Sequence, residues 1–214
     1  MKLLVIIVTN KLEIDLKRNV LRLDSILRSQ GHAVEYAGIC SVDEFANYED
    51  IIKFKYKEIN TKYQLTKLCN FIEKNNLEYD WFIKFRPEVY LVEPIDFTNL
   101  CAISINARAR KYTGPKSIQY GMSVELPTIL SETESLVEMD DQIFIFHKNL
   151  IDKGGFSGIE TYNNIYTIEN ETVQTAFWNE RGVSFNIIPI NAFFVRNSYS
   201  IQYKSGHINY PLTQ

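Results

Sequence analysis

A chain of 214 residues with 45% apolar, 23% charged and 13% aromatic side chains is long enough to bury one sizeable core, since a domain of this size hides roughly 70% of its unfolded surface. Its 23 Lys and Arg against 26 Asp and Glu leave a formal charge of -3, which offers no bulk attraction to nucleic acid or to an anionic membrane. Any phosphate recognition must be local.

The opening MKLLVIIVTN falls short of the roughly 20 apolar residues of a membrane helix, and no small-residue cleavage site follows it, so neither anchor nor signal peptide is expected. Cys40, Cys69 and Cys101 are odd in number, far apart and set in apolar stretches. That pattern fits buried thiols in a reducing compartment better than a disulfide frame or a cysteine zinc site. A cytoplasmic protein without membrane insertion is the expectation.

Leu3 to Val8 is a continuous, partly β-branched apolar run that stops at Thr9-Asn10, as a strand buried on both faces does. Leu16, Val20, Leu23 and Leu27 then recur at helical spacing, and Gly31 stands where a helix C-cap wants it. Ala33 to Ile39 and Lys53 to Ile59 read as strands, and Leu65, Leu68, Cys69 and Ile72 as a helix. Trp81 to Phe85 is an apolar strand that must finish or splay at Arg86-Pro87-Glu88, because Pro87 cannot donate to a sheet ladder.

Further strands are expected over Leu100 to Ile105, Gln142 to Phe146, Val183 to Ile190 and Phe193 to Arg196, with a helix over Thr172 to Glu180. Between them, Tyr112 to Glu134 is polar, broken by Gly and Pro, and long enough to be functional. With no repeat and no linker, the chain reads as a single α/β domain, a central mixed and mainly parallel sheet flanked by helices.

Open α/β sheets bind ligands at the carboxyl ends of their strands, which singles out Thr9-Asn10 and Arg86-Pro87-Glu88. The first strand is followed by no Gly-x-Gly-x-x-Gly, and no P-loop motif occurs, so phosphate would have to be held by side chains or a metal. Glu88 is a carboxylate placed where a hard divalent cation could be held; spacing alone favours an exposed loop acid. Gln64 and Lys67 share a helix face. Arg108 and Arg110 share one side of an expected strand end, as a diphosphate clamp or as edge charges. Tyr112, Tyr120, Phe156 and Tyr162 are candidates for stacking on sugars, with core packing as the other reading.

The stretch Tyr79-Asp80-Trp81-Phe82-Ile83-Lys84-Phe85-Arg86-Pro87-Glu88-Val89-Tyr90 resembles the metal-site strand of GT-A glycosyltransferases, where an apolar strand runs into an Asp-X-Asp motif. Glu88 matches the last acid of that motif, and Arg86 stands where the first acid usually does. Glu78-Tyr79-Asp80 is an acid-X-acid triplet too, but it precedes the strand. Met139-Asp140-Asp141-Gln142-Ile143-Phe144 is similar to the Asp-Asp-Gln segment that lines the donor sugar in that family, and Gly206-His207 to its late metal-binding histidine.

The resemblance implies a GT-A-like domain whose first 100 residues form a nucleotide-binding half ending at the metal motif, with residues 101–214 as the donor-sugar and acceptor half. It implies Glu88 and His207 as ligands of Mn2+ (or Mg2+), and Asp140 and Asp141 as the catalytic carboxylates. Thr9, Asn10, Gln64, Lys67, Arg86, Arg108 and Gln142 are then donor-binding. The activity implied is sugar transfer from a UDP-sugar to a hydroxyl of a glycan or glycoprotein, with inversion or retention left open. Its brevity makes the chain look most like virus-encoded, chlorella-virus-type domains that decorate a capsid glycan. A sugar-1-phosphate nucleotidyltransferase would usually carry a glycine-rich basic loop after the first strand, and Thr9-Asn10-Lys11-Leu12 has no glycine. A non-catalytic sugar-nucleotide-binding module is the remaining alternative.

Overall fold

A computed structural model of the chain describes residues 1–10, 12–41, 45–57, 64–113, 135–159, 171–197, 200–202 and 207–208. Its axis is β1 (Lys2–Val8), in which every side chain from Leu3 to Val8 is fully buried. Because strand side chains alternate, Leu3, Val5 and Ile7 enter one core while Leu4, Ile6 and Val8 enter the other. Both cores are closed by helices. α1 (Lys17–Ser29) lays Val20, Leu23 and Leu27 on the first, and α2 (Gln64–Lys74) lays Leu68, Cys69 and Ile72 on the second.

β1 runs parallel between β2 (Ala33–Cys40) and β4 (Trp81–Phe85), and β3 (Phe54–Lys57) extends the sheet parallel to β2. Beyond β4 the direction changes: β7 (Ser135–His147) pairs with it antiparallel, and β6 (Ser104–Thr113) pairs antiparallel with β7. β8 (Ser184–Ile187) flanks the first half of β6 in parallel, and β11 (His207–Ile208) its second half antiparallel. The result is the expected single α/β domain with a mixed, mainly parallel sheet.

Local chemistry explains the boundaries. Gly31, at φ 81°, ends α1 with two bonds, from its own N–H to the Arg28 carbonyl at 2.9 Å and from the His32 N–H to the Leu27 carbonyl at 3.2 Å. Gly38 in β2 sits in a crowded place, where a Cβ would lie 2.6 Å from Ile52 Cδ1 and force that side chain to shift. On the second core, α3 (Lys148–Asp152) follows β7 and α4 (Glu171–Asn179) delivers Trp178, whose ring meets Phe144 edge-on at 5.3 Å. Phe82 and Phe146 stack at 5.2 Å beneath it.

The strand expected over 183–190 is confined to Ser184–Ile187, and two others differ more from the sequence expectation. The strand expected over 100–105 begins at Ser104 and continues to Thr113, and the one expected over 142–146 runs from Ser135 to His147. Charged residues that read as strand ends therefore lie inside a ladder, covered by a small second sheet: β5 (Val89–Leu91), β9 (Ala192–Asn197) and β10 (Ser200–Gln202). Most of the long segment 112–134, with Tyr120, lies outside the described residues, as do Tyr162 and residues 58–63.

The β6–β7 ladder is interrupted where the acids sit. Ala107 pairs with Phe144 but Ala109 pairs with Met139, so β7 carries three more residues than β6 between these pairs. Such bulges re-aim side chains. Arg108 faces the interruption and is buried with Asp140, its side chain 1% exposed and that of the acid 0%. Its Nε donates to Asp140 Oδ2, Nη2 to Gln142 Oε1 at 2.9 Å and Nη1 to the Ala192 carbonyl at 2.9 Å. This one guanidinium joins β6, β7 and β9.

Removing it leaves an uncompensated buried carboxylate. Arg108→Met is expected to lower unfolding free energy by about 3–5 kcal/mol in urea titrations, with Arg108→Met/Asp140→Leu recovering most of the loss. A loss for Arg108→Met below about 1 kcal/mol would mean that the pair is effectively hydrated. In the aromatic core, Phe146→Ala is expected to cost about 3–5 kcal/mol by the same measurement.

Candidate active site at the carboxyl edge of the sheet

β1 and β4 end side by side, Ile7 pairing with Phe85, so the residues that follow them share one edge. After β4 the chain makes a turn closed by the Val89 N–H on the Arg86 carbonyl at 3.0 Å. Pro87 fills its second position, where a fixed φ favours the turn. From there the chain enters β5, so Arg86-Pro87-Glu88 is the corner between the two sheets. Asn19, fully buried on α1, donates Nδ2 to the Pro87 carbonyl at 2.7 Å, and Arg22 holds the Leu91 and Val92 carbonyls at 2.8 Å each.

The corner side chains form a line of alternating charge. Arg86 Nη2 donates to Glu88 Oε1 at 3.1 Å, and Arg86 Nη1 lies 3.6 Å from Asp141 Oδ2. The side chains of Arg86, Glu88 and Asp141 are 21%, 19% and 13% exposed, so this tier borders solvent, whereas Asp140, Arg108 and Gln142 lie fully buried behind it. Burial strips hydration from the Arg86 guanidinium, which alone would lower its pKa; Asp141 and Glu88, with Asp140 beyond, outweigh that and hold it above the ordinary arginine value. Lys84, buried in β4, donates Nζ to the Asp141 carbonyl and so fixes the bulge from a third side.

At the end of β1, Lys67 is fully buried and its Nζ donates to Asn10 Oδ1 at 2.8 Å, to Ser41 Oγ and to the Thr9 carbonyl at 3.3 Å. Thr9 is buried and its N–H donates to the Ile39 carbonyl at 3.1 Å, while Asn10 is exposed. Gln64, one turn before Lys67, is half-buried, and its Oε1 has no hydrogen-bond partner among the described residues.

The structure thus brings Glu88, Arg86, Asp141, Asp140, Gln142 and Arg108 into one cluster and places Thr9, Asn10 and Lys67 at the adjoining strand end. Arg108 and Lys67 do not project as solvent-facing donor clamps: both are buried and bonded to protein acceptors. Phe156 is a core residue, 1% exposed and 4.5 Å from the Phe146 ring, and offers no face for a sugar. For His207 only the backbone is described, paired opposite Arg110. Asp80 is at the opposite edge of the sheet, accepting from the Lys2 N–H at 3.1 Å.

Sequence reading missed Lys84, Asn19 and Ser41. The first two had a signal, a lysine inside the apolar run Trp81–Phe85 and an asparagine beside the apolar stripe of α1. Ser41 had none.

The donor set fits the expected Mn2+ or Mg2+ poorly. A hard cation wants six or more oxygens, and the observation in its favour is Glu88 Oε2, buried with no hydrogen-bond partner among the described residues. Against it, the guanidinium of Arg86 already lies between Glu88 and Asp141, so an ion bridging the two carboxylates would meet a like charge. Among the described residues no three of His, Cys, Asp and Glu come together as a metal site.

No protein-family model and no curated protein matches the chain. Solved structures do match in fold. A Drosophila β1,4-galactosyltransferase 7 mutant, complexed with manganese, UDP-Gal and xylobiose, aligns over 87% of this chain at TM-score 0.52 and 9% identity. The chain spans 64% of that protein's length. A CMP:2-keto-3-deoxy-manno-octonic acid synthetase complexed with CTP aligns over 87% of this chain and 88% of its own at TM-score 0.51 and 11% identity. A glycosyltransferase involved in glycosylation of the major capsid of PBCV-1 aligns over 87% of this chain and 80% of its own at 12% identity, but its TM-score of 0.49 carries no argument. At these identities the likeness shows the fold alone: this chain is a single α/β domain of the GT-A-like architecture that glycosyltransferases and nucleotidyltransferases share.

Proposed function

We propose that the chain is a glycosyltransferase that moves a sugar from a UDP-sugar to a hydroxyl of a glycan or glycoprotein. The observation that carries this reading is the partly exposed Glu88–Arg86–Asp141 line, held on a buried Arg108–Asp140–Gln142 tier at the carboxyl edge of a GT-A-like sheet. Thr9 and Asn10 are the groups proposed to meet the nucleoside, with Gln64 beside them and Lys67 acting behind them as a positioning residue. The capsid-glycan role has nothing in this geometry to support it and forms no part of the reading.

In the reaction the acceptor oxygen bonds to the anomeric carbon as the bond from that carbon to the β-phosphate oxygen breaks. The diphosphate leaves with the electron pair, so negative charge grows there, and the acceptor proton passes to a base or to solvent. Of the two adjacent acids, Asp141 is proposed to face the sugar or the acceptor. Asp140 is committed to Arg108 and keeps the bulge in shape. Mn2+ or Mg2+, implied by the resemblance, would have Glu88 Oε2 as a ligand among the described residues, and no step is assigned to it.

UDP and UDP-sugars are expected to raise the melting temperature, a ligand at a hundred times its Kd adding about 2.7 kcal/mol of stability. If CTP or another nucleoside triphosphate stabilises the protein and UDP does not, the nucleotidyltransferase reading replaces this one. Asp141→Asn is expected to slow sugar transfer from a UDP-sugar by about a hundredfold or more, with little change in melting temperature. Asp140→Asn is expected to lower the melting temperature as well; an equal effect of the two on stability would show that the tiers are not distinct.

A further inference from the structure

We infer that Asn19 is a positioning residue of this site: from inside α1 it locks the plane of the Pro87–Glu88 peptide and so sets the direction of the Glu88 carboxylate. The inference rests on the proposed sugar-transfer reading for the use made of Glu88, and on the fold alone for the lock.

Asn19 occupies a place where the helix calls for an apolar side chain. It lies at helical spacing from Leu23 and Ile26, both in the core beneath α1, and is itself fully buried. Only half of its amide is used. Nδ2 donates to the Pro87 carbonyl at 2.7 Å, while Oδ1 is buried with no hydrogen-bond partner among the described residues. The reverse orientation would turn Oδ1 onto that carbonyl, acceptor against acceptor. A buried amide with one unmatched end costs stability, so its contribution is directional: it fixes one backbone carbonyl.

That carbonyl belongs to the middle peptide of the turn from Arg86 to Val89, closed by the Val89 N–H on the Arg86 carbonyl at 3.0 Å. The two common forms of such a turn differ by a half-rotation of the middle peptide, and the rotated form needs a positive φ at its second central residue. Glu88 holds that position, and among the described residues no residue other than glycine has a positive φ, so the turn is in the unrotated form. The closing bond and Pro87 suit both forms and do not choose between them. Two things choose: the strain that a positive φ would place on Glu88, and the bond from Asn19. Without that bond the Pro87 carbonyl is left buried and unmatched, a cost of the same order as the strain that opposes rotation. Rotation would re-aim the Cα–Cβ bond of Glu88 and draw its carboxylate away from Arg86, now 3.1 Å distant.

The rest of α1 braces the segment beyond the turn. Arg22 holds the Leu91 and Val92 carbonyls, and Gln30, at the helix end, donates Nε2 to the Ile95 carbonyl at 2.8 Å. Both are exposed. Asn19 is the buried member of this row and the one that reaches the turn.

Crystallography of Asn19→Leu, with kinetics in two backgrounds, tests this. Leucine keeps the volume and removes the unmatched Oδ1, so Asn19→Leu is expected to melt within about 4 °C of the wild type, with the Pro87 carbonyl turned from its wild-type direction and the Glu88 carboxylate off Arg86. Sugar transfer from a UDP-sugar is expected to fall about tenfold or more. In a Glu88→Gln background the same substitution is expected to cost less than about threefold further, because the group it positions is already altered. A purely structural asparagine would show its full loss in both backgrounds. Asn19→Val, which also lacks the N–H donor, takes its place if Asn19→Leu does not fold. An unchanged corner in the variant crystals, or equal losses with and without Glu88, would overturn the inference. If the wild type transfers no sugar, the sugar-transfer reading fails, and the direction of the Pro87 carbonyl in the variant crystals still decides the lock.

Discussion

Arg108 and Asp140 meet in a space almost closed to water, and the geometry of the carboxyl edge is registered on that contact. Desolvating two charges costs several kcal/mol per ion, and their attraction returns this only when the remaining donors and acceptors are also matched. Here most of them are: Gln142 Oε1 and the Ala192 carbonyl take the other ends of the guanidinium, and the Gln142 backbone N–H donates to Asp140 Oδ1 at 3.1 Å, while Gln142 Nε2 is buried with no hydrogen-bond partner among the described residues. The pair contributes position more than net stability. It holds three extra residues of β7 out of the ladder and ties that bulge to β9. Because β9 pairs with β5, the far side of the Arg86-Pro87-Glu88 corner is fixed by the same contact.

The consequence is a division of labour between adjacent residues of like type. Asp140 and Asp141 are neighbours in sequence, yet one is sealed behind Arg108 and the other borders solvent beside Arg86. The two arginines divide in the same way, Arg108 buried on protein acceptors and Arg86 partly exposed beside Glu88. Such a two-tier arrangement preorganises the outer groups, so that a ligand meets charges already in place and little reorganisation is needed when charge develops.

Much of the fold was legible in the sequence. The doubly buried Leu3–Val8 run, the helical period of α1 ending at Gly31 and the strand stopped by Pro87 all follow from local rules, and the structure bears each of them out. The limits of β6 and β7 were not legible, because their charged residues are covered by a sheet built from strands about a hundred residues apart, β5 and β9. Polar side chains signal a strand end only where nothing distant covers them. The same gap separates the two arginine fates. Arg108 reads as an edge charge until the bulge that swallows it is known, and Lys67 as a solvated helix face until Asn10 and Ser41 fold over its ammonium group. Which residues gather at the edge could be read from motif and spacing; which of them remain accessible depended on register shifts that no local pattern records.

Diffraction from crystals grown with UDP is the most direct measurement. The expected density places the diphosphate beside the Glu88–Arg86–Asp141 line beyond β4, with the nucleoside toward Thr9 and Asn10 and the Arg108–Asp140 pair undisturbed. Nucleotide bound away from this edge would contradict it.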